Sequence, residues 1–235
     1  MTEHILETVR LEAGYGSKPV LQGIDIQVGR GEIVAVIGRN GVGKSTLMKR
    51  LIGLLPDGGG ELLLDGERIG HLPAYQRARR GVGYVPQGRD VFPRMTVMEN
   101  LRTGESLGKP AEGIYERMFR FFPILDERRD QRAGTLSGGQ QQQLAIARVL
   151  IGGPKLVLLD EPSEGIQPSI VQDIARTMVR LNQETGLSLI FVEQNIDMIR
   201  AMAHRCYVMD KGRIIAELTP EMLEDRDTVR RYLSV

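Results

Sequence analysis

A chain of 235 residues with 31 Lys plus Arg against 30 Asp plus Glu is long enough for one large α/β domain, and too evenly charged to wrap nucleic acid or adhere to anionic lipid by electrostatics. The single cysteine, Cys206, rules out an internal disulfide, and His4, His71 and His204 lack metal-ligand spacing. Residues Met1 to Leu11 hold no signal-like apolar stretch and no apolar run approaches the ~20 residues of a membrane helix, so the expectation is a cytoplasmic protein that reaches any membrane through a partner.

In chain order, Ile5 to Leu11 reads as a strand, and Ile24, Ile26 and Val28 alternate as a half-buried strand does. Glu61 to Leu64, followed by Asp65-Gly66, reads as a strand entering a hairpin turn, so a small antiparallel sheet is expected near the N-terminus. Ile33 to Ile37, Leu156 to Leu159 and Leu187 to Val192 are nearly continuous apolar runs. Strands buried on both faces of a helix-covered parallel sheet have this composition. The basic runs Arg77, Arg79, Arg80 and Arg128, Arg129 read as solvated surface. Between Pro93 and Lys155 helical spacing takes over, with Ile114, Met118, Phe119 and Phe122 as a core stripe that Pro123 ends. Cys206 sits in an apolar strand-like stretch and reads as a core residue. Tyr207 to Met209 and Ile214-Ile215 flank Asp210 to Arg213 as an expected hairpin, and with only a short helical tail after it no extra regulatory domain is expected.

The strongest chemical signal is Gly38-Arg39-Asn40-Gly41-Val42-Gly43-Lys44-Ser45, which fits the P-loop pattern. It follows a buried strand, and Thr46 to Leu54 can open a helix. Gly38, Gly41 and Gly43 let backbone N–H groups, including those at Asn40 and Thr46, converge on phosphates at a helix N-terminus. Lys44 is expected to neutralise the β- and γ-phosphates of ATP, and the Ser45 hydroxyl to ligate Mg²⁺. The strand Leu156 to Leu159 then delivers Asp160 to the magnesium and Glu161 to the γ-phosphate, where Glu161 can take a proton from the attacking water.

Leu136-Ser137-Gly138-Gly139-Gln140 resembles the LSGGQ signature of ABC transporter ATPases, and the resemblance covers essentially the whole chain. It implies an ABC ATPase fold over 1–235: a P-loop NTPase core with a mostly parallel sheet and an antiparallel β subdomain (1–87 and 156–235), and an inserted helical signature subdomain (88–155). It further implies that Ser137, Gly138, Gly139 and Gln140 face the nucleotide held by the opposite subunit, that Tyr15 stacks on adenine, and that Gln87 contacts Mg²⁺. Pro162 to Pro168 would be the loop crossing between subunits. Two positions depart from the family pattern: Gln167 stands where an Asp is usual, and Gln194 where a histidine approaches the γ-phosphate. Lost hydrolysis is the alternative this raises; intact Lys44, Asp160 and Glu161 argue against it.

Val192 to Asn195, Pro86 to Arg89 and the short C-terminus resemble cassettes of branched-chain amino acid and urea importers, and Ser163 to Ile170 with the Gln-rich signature helix is similar to the urea-type subunit. The resemblance implies integral membrane permease subunits, a second, different cassette and a periplasmic solute-binding protein as partners, with the chain at the cytoplasmic face of the membrane. A DNA- or ribosome-directed ABC ATPase is disfavoured because no heptad run lies between Lys44 and Ser137 and only one cassette is present. A P-loop kinase or GTPase is disfavoured by the signature and by the missing Asn-Lys-x-Asp motif.

Overall fold

The computed structural model describes residues 3–107 and 110–233; residues 1, 2, 108, 109, 234 and 235 of the expected 1–235 domain lie outside the described residues. β1 (His4–Tyr15) and β2 (Lys18–Gly29) form a long antiparallel hairpin in which Ile24, Ile26 and Val28 are buried at every second position. β1 runs beyond the expected Leu11, through a register shift at Arg10, whose φ is 46°. β3 (Ile33–Ile37) leads through the glycine loop into α1 (Lys44–Ile52), and Gly53 ends that helix at φ 89°. β4 (Glu61–Leu64) turns into the short β5 (Glu67–Arg68) through Asp65 (φ 54°) and Gly66 (φ 79°). Positive φ at both central residues is what a two-residue hairpin loop requires, and Asp-Gly supplies it.

α2 (Ala74–Arg79) and β6 (Val82–Val85) follow, then α3 (Val97–Arg102), α4 (Ile114–Phe121), α5 (Pro123–Glu127) and α6 (Gly138–Ile151). In α4 the buried stripe is Ile114, Met118 and Phe121, which corrects the expected set. Phe119 is only partly buried, under the Arg129 guanidinium at 4.6 Å from its ring centroid. Phe122 is buried, but beyond the helix end at φ −128°, because Pro123 restricts the residue before it. β7 (Leu156–Asp160), α7 (Pro168–Thr185), β8 (Ser188–Glu193), α8 (Ile196–Met202), β9 (Arg205–Asp210), β10 (Arg213–Leu218) and α9 (Arg226–Leu233) complete the chain order. The expected Asp210 to Arg213 turn is present, with Lys211 at φ 44° and Gly212 at φ 75°.

The strands form two sheets: an antiparallel one in the order β2-β1-β4-β5, and a six-stranded one in the order β10-β9-β3-β8-β7-β6. All neighbours in the larger sheet are parallel except the edge pair β9–β10. Its central strands feed two cores. Ile33, Ala35, Ile37, Val157, Leu159, Leu189 and Phe191 face the helices, whereas Val34, Val36, Leu156, Leu158, Ile190 and Val192 face α1 and the antiparallel sheet. Burial on both faces, at about 1.5–3 kcal/mol for each fully buried large apolar side chain, is the reason these strands tolerate no polar alternation. Cys206 lies in the same core, as expected, and burial pushes its thiol up to about 11.

Arg77 is not solvated surface. It is 1% exposed and donates to the carbonyls of Arg50 (2.6 Å), Leu51 (2.9 Å), Gly70 (2.7 Å) and Leu72 (2.8 Å), so a basic run conceals the residue that ties off the end of α1. No helix among the described residues is long and apolar enough to cross a membrane.

Candidate nucleotide site

Strand order builds the site. β8 lies between β3 and β7, with Ile37 opposite Glu193 and Asp160 opposite Val192, so three carboxyl ends finish level with one another. The loops leaving them carry Gly38 to Ser45, Gln194 and Glu161. A ligand crevice at the carboxyl ends of parallel strands is the general arrangement in open α/β sheets.

Gly38 leaves β3 where a Cβ would run into the Met209 carbonyl oxygen, so only glycine permits the turn. Gly41 (φ 80°) and Gly43 (φ 115°) then curl the backbone toward the start of α1. A Cβ on Gly43 would also meet Val20 and Leu21 of β2, which brings the β1–β2 hairpin beside the P-loop, with Tyr15 half exposed at its tip. Lys44 is 3% exposed. Its ammonium donates to the Gly38 (2.9 Å) and Arg39 (3.1 Å) carbonyls and pairs with Glu161 Oε1 at 3.2 Å.

Ser45 Oγ donates to Asp160 Oδ1 at 2.9 Å, and Tyr84 from β6 donates to Asp160 Oδ2 at 3.3 Å. Burial holds the Asp160 carboxyl above the usual carboxylate range, although these two hydroxyls oppose the shift. The same burial, beside Asp160, raises the Tyr84 phenol. A buried carboxyl and a hydroxyl within bonding distance form an all-oxygen donor pair, which fits a hard divalent cation such as Mg²⁺.

Glu161 adopts φ 47°, a left-handed conformation costing about 1–3 kcal/mol for a residue other than glycine. Its carboxylate accepts from Gln194 Nε2 at 3.3 Å, and the same amide donates to Asn40 Oδ1 at 2.6 Å. Gln194 is thus joined to the P-loop and to Glu161 at once. Glu193, 2% exposed, lies just behind it and accepts backbone N–H groups from two loops.

The expected second group sits elsewhere on the chain. Ser137 caps α6: its hydroxyl accepts from Gln140 N at 3.3 Å, and Gln140 Oε1 accepts from Ser137 N at 3.0 Å. A Cβ on Gly138 would press on the Arg89 guanidinium, and one on Gly139 would overlap Ile170. No hydrogen bond or ion pair among the described residues joins Ser137, Gly138, Gly139 or Gln140 to the P-loop. Gln87 makes no hydrogen bond to Ser45 or Asp160; its amide donates to Glu164 Oε2 at 2.9 Å. Arg89 holds the same loop through the Glu164 carbonyl at 2.9 Å. Gln167 stands at the N-cap of α7 and makes no side-chain cap bond, a position that favours the shorter Asp, Ser or Asn.

Tyr84, Arg89 and Glu193 carried no assigned role in the sequence. Each stands within a few residues of a motif, yet its partner lies on a separate loop or strand, so spacing along the chain gives no signal.

Fold and site together define a P-loop nucleoside triphosphatase. The ABC transporter family model matches residues 21–164. The chain is 41% identical over 218 residues to the high-affinity branched-chain amino acid transport ATP-binding protein BraG of Pseudomonas aeruginosa, covering 92% of this chain and 93% of that one. It is 35% identical over 235 residues to the lipopolysaccharide export system ATP-binding protein LptB of Escherichia coli K12, covering 97% and 96%. Among solved structures, the ADP conformation of MJ1267, an ATP-binding cassette of an ABC transporter, matches with a TM-score of 0.84 at 30% identity, covering 98% of this chain and 99% of that one. The chain belongs to the ABC transporter ATP-binding cassette family. It is an ATPase of the kind that couples hydrolysis to transport, and it binds ATP and Mg²⁺.

Proposed function

We propose that this cassette drives an ABC importer from the cytoplasmic face of the membrane, pairing with a second, different cassette beneath integral membrane permease subunits that a solute-binding protein supplies. The observation that carries the catalytic half of this reading is the convergence of Lys44, Ser45, Asp160, Glu161 and Gln194 at the level ends of β3, β8 and β7.

In this assignment the P-loop amides and Lys44 hold the β- and γ-phosphates. Ser45 and Asp160 would hold Mg²⁺, which supplies charge neutralisation at the phosphate oxygens. Glu161 takes a proton from the water that attacks the γ-phosphorus, and the bond to the β–γ bridging oxygen breaks to leave ADP and phosphate. Gln194 donates its amide hydrogens to the reacting phosphate. Ser137 with the amides of Gly138 and Gly139 caps the nucleotide of the opposite cassette, consistent with their separation from the P-loop of their own chain. Tyr15 stacks on adenine, and Gln87 reaches the magnesium side of the site on exchanging its Glu164 partner.

A groove of about 720 Å³ lined by Ile52, Tyr75, Ala78, Phe92 and Val149 supports the permease as a partner. Tyr75 and Phe92 are 59% and 48% exposed there, large apolar surface of the kind that marks an interaction site. For the solute we propose urea or a related short amide, supported by the Ser163 to Ile170 stretch. BraG's branched-chain amino acid transport supports the second reading, an amino-acid importer cassette. Uptake of labelled urea and labelled leucine by cells with and without the intact transporter separates the two.

The catalytic assignment is tested with Glu161→Gln, which keeps shape and removes the base. Mg-ATP is expected to hold this variant closed on its partner cassette, seen as a larger species by size-exclusion chromatography, with hydrolysis abolished. Turnover at the parent rate would assign the base to another group.

A further inference from the structure

We propose that Glu193 is a positioning residue for hydrolysis, a buried carboxylate that fastens the Glu161 turn to the Gln194 loop so that base and phosphate donor are aimed together. This rests on the assignment of Glu161 and Gln194 proposed above.

Glu193 is the last residue of β8 and is 2% exposed. Its Oε1 accepts the Ser163 N–H at 2.8 Å, and its Oε2 accepts the N–H groups of Gln194 (2.9 Å) and Asn195 (3.0 Å). Each oxygen serves a different loop. Neutral peptide donors satisfy the carboxylate, and no ion pair joins it among the described residues, an arrangement like that of anions at helix termini and nests.

The placement of Ser163 gives the contact its consequence. The Glu161 N–H donates to the Val192 carbonyl at 3.0 Å, so the stretch Glu161-Pro162-Ser163 is tied at both ends to the last two residues of β8. Between the ties stands Glu161, in its left-handed conformation at φ 47°. Such a conformation persists in a residue other than glycine only where its surroundings over-determine it. The far tie is the Glu193 side chain. On the other side, Glu193 fixes the amides of Gln194 and Asn195, and Asn195 caps α8 by accepting from Met198 N at 3.1 Å. The 3.3 Å contact between Gln194 and Glu161 therefore has both its partners anchored on one carboxylate.

Gln has the shape of Glu but one acceptor oxygen, so Glu193→Gln satisfies one loop and turns an NH₂ group against the donors of the other. Asp keeps both oxygens on a stem one carbon shorter. An Asp side chain readily bonds the N–H two residues on, so Glu193→Asp retains Asn195 and loses Ser163. Neither change touches Lys44, Ser45 or the P-loop. The expected result, measured on the full chain in the assembled transporter, is a fall in kcat of about tenfold or more with KM for ATP within about twofold of the parent, for either variant.

A role in stability alone predicts instead a lowered Tm with kcat per folded transporter unchanged. That result, or kcat within twofold of the parent in both variants, overturns the proposal. Should Glu193→Gln fail to fold, Glu193→Asp carries the same comparison. Glu161→Gln is run alongside. An inactive Glu161→Gln with parental Glu193 variants rejects the positioning role only, whereas an active Glu161→Gln rejects the catalytic assignment beneath it.

Discussion

Gln194 is one of the two positions where the sequence departs from the pattern that its resemblance implies, and its geometry makes the consequence calculable. The amide donates to Asn40 Oδ1 at 2.6 Å and to Glu161 Oε1 at 3.3 Å, which sets it between the P-loop and Glu161, the proposed base. Gln194→Ala removes one donor to a charged group, worth about 1.5–3 kcal/mol, or about 10- to 150-fold in rate. Lys44 keeps its own contacts, so the loss is expected in kcat and not in KM. Gln194→His restores a donor that titrates with an unperturbed pKa of ~6.5, which the adjacent Glu161 carboxylate raises. Below its pKa the imidazolium donates as a cation; above it that charge is lost. The ratio of the His form to the parent is therefore expected to fall as pH rises through this region. Titration of ATP is common to all forms and cancels in the ratio. The assay is the ATPase rate of the assembled transporter from about pH 5.5 to 8.5 for parent, Ala and His forms. An Ala form that matches the parent throughout would show that Gln194 does not act on the reacting phosphate.

Two further outcomes follow from burial. Arg77→Ala leaves the carbonyls of Arg50, Leu51, Gly70 and Leu72 without their donor; even if water re-satisfies most of them, a loss of roughly 3 kcal/mol is expected, about 6–12 °C in Tm by thermal denaturation, with activity per folded molecule retained. An unchanged Tm would show that those carbonyls find other donors. Asp160 has its folded pKa raised by burial, so its contribution to stability is fully present below its unfolded value of ~3.9 and is lost as pH rises through the folded value. Asp160→Asn is accordingly expected to gain Tm relative to the parent as pH rises from about 4 to 7 without nucleotide, and to lose the stabilisation the parent receives from Mg²⁺ with ATP. A Tm difference between the Asn form and the parent that stays flat, or moves in the parent's favour, from about pH 4 to 7 without Mg²⁺ would contradict the sign of this effect.

The features legible in the sequence are those that local physics dictates. Gly38 to Ser45 is readable because a phosphate loop needs glycines where the backbone turns to positive φ, as Gly41 and Gly43 do. Asp65-Gly66 and Lys211-Gly212 are readable as turns for the same reason, and the apolar runs of β3, β7 and β8 because both their faces are buried. The misreadings came where burial is decided at a distance. Arg77 looked like surface charge because its partners lie 5 to 27 residues away, at Leu72, Gly70 and the end of α1. Phe121 is the buried phenylalanine of α4, and Phe119 packs against the core only partly buried, because the direction of α4 against its neighbours is a property of packing.

The site divides the same way. Residue type and motif single out Lys44, Ser45, Asp160 and Glu161 in the sequence as candidates, since each proposed chemistry needs that functional group next to that strand or helix end, and the structure brings the four side chains together. Only the tertiary structure placed β8 between β3 and β7, and with it Gln194 against Asn40 and Glu161, and Glu193 against Ser163. Parallel strands are joined by long crossovers, so chain order says nothing about which carboxyl ends are neighbours. Apolar packing on both sheet faces, with hydrogen bonding between strand edges, decides that order, and the order sets which loops meet.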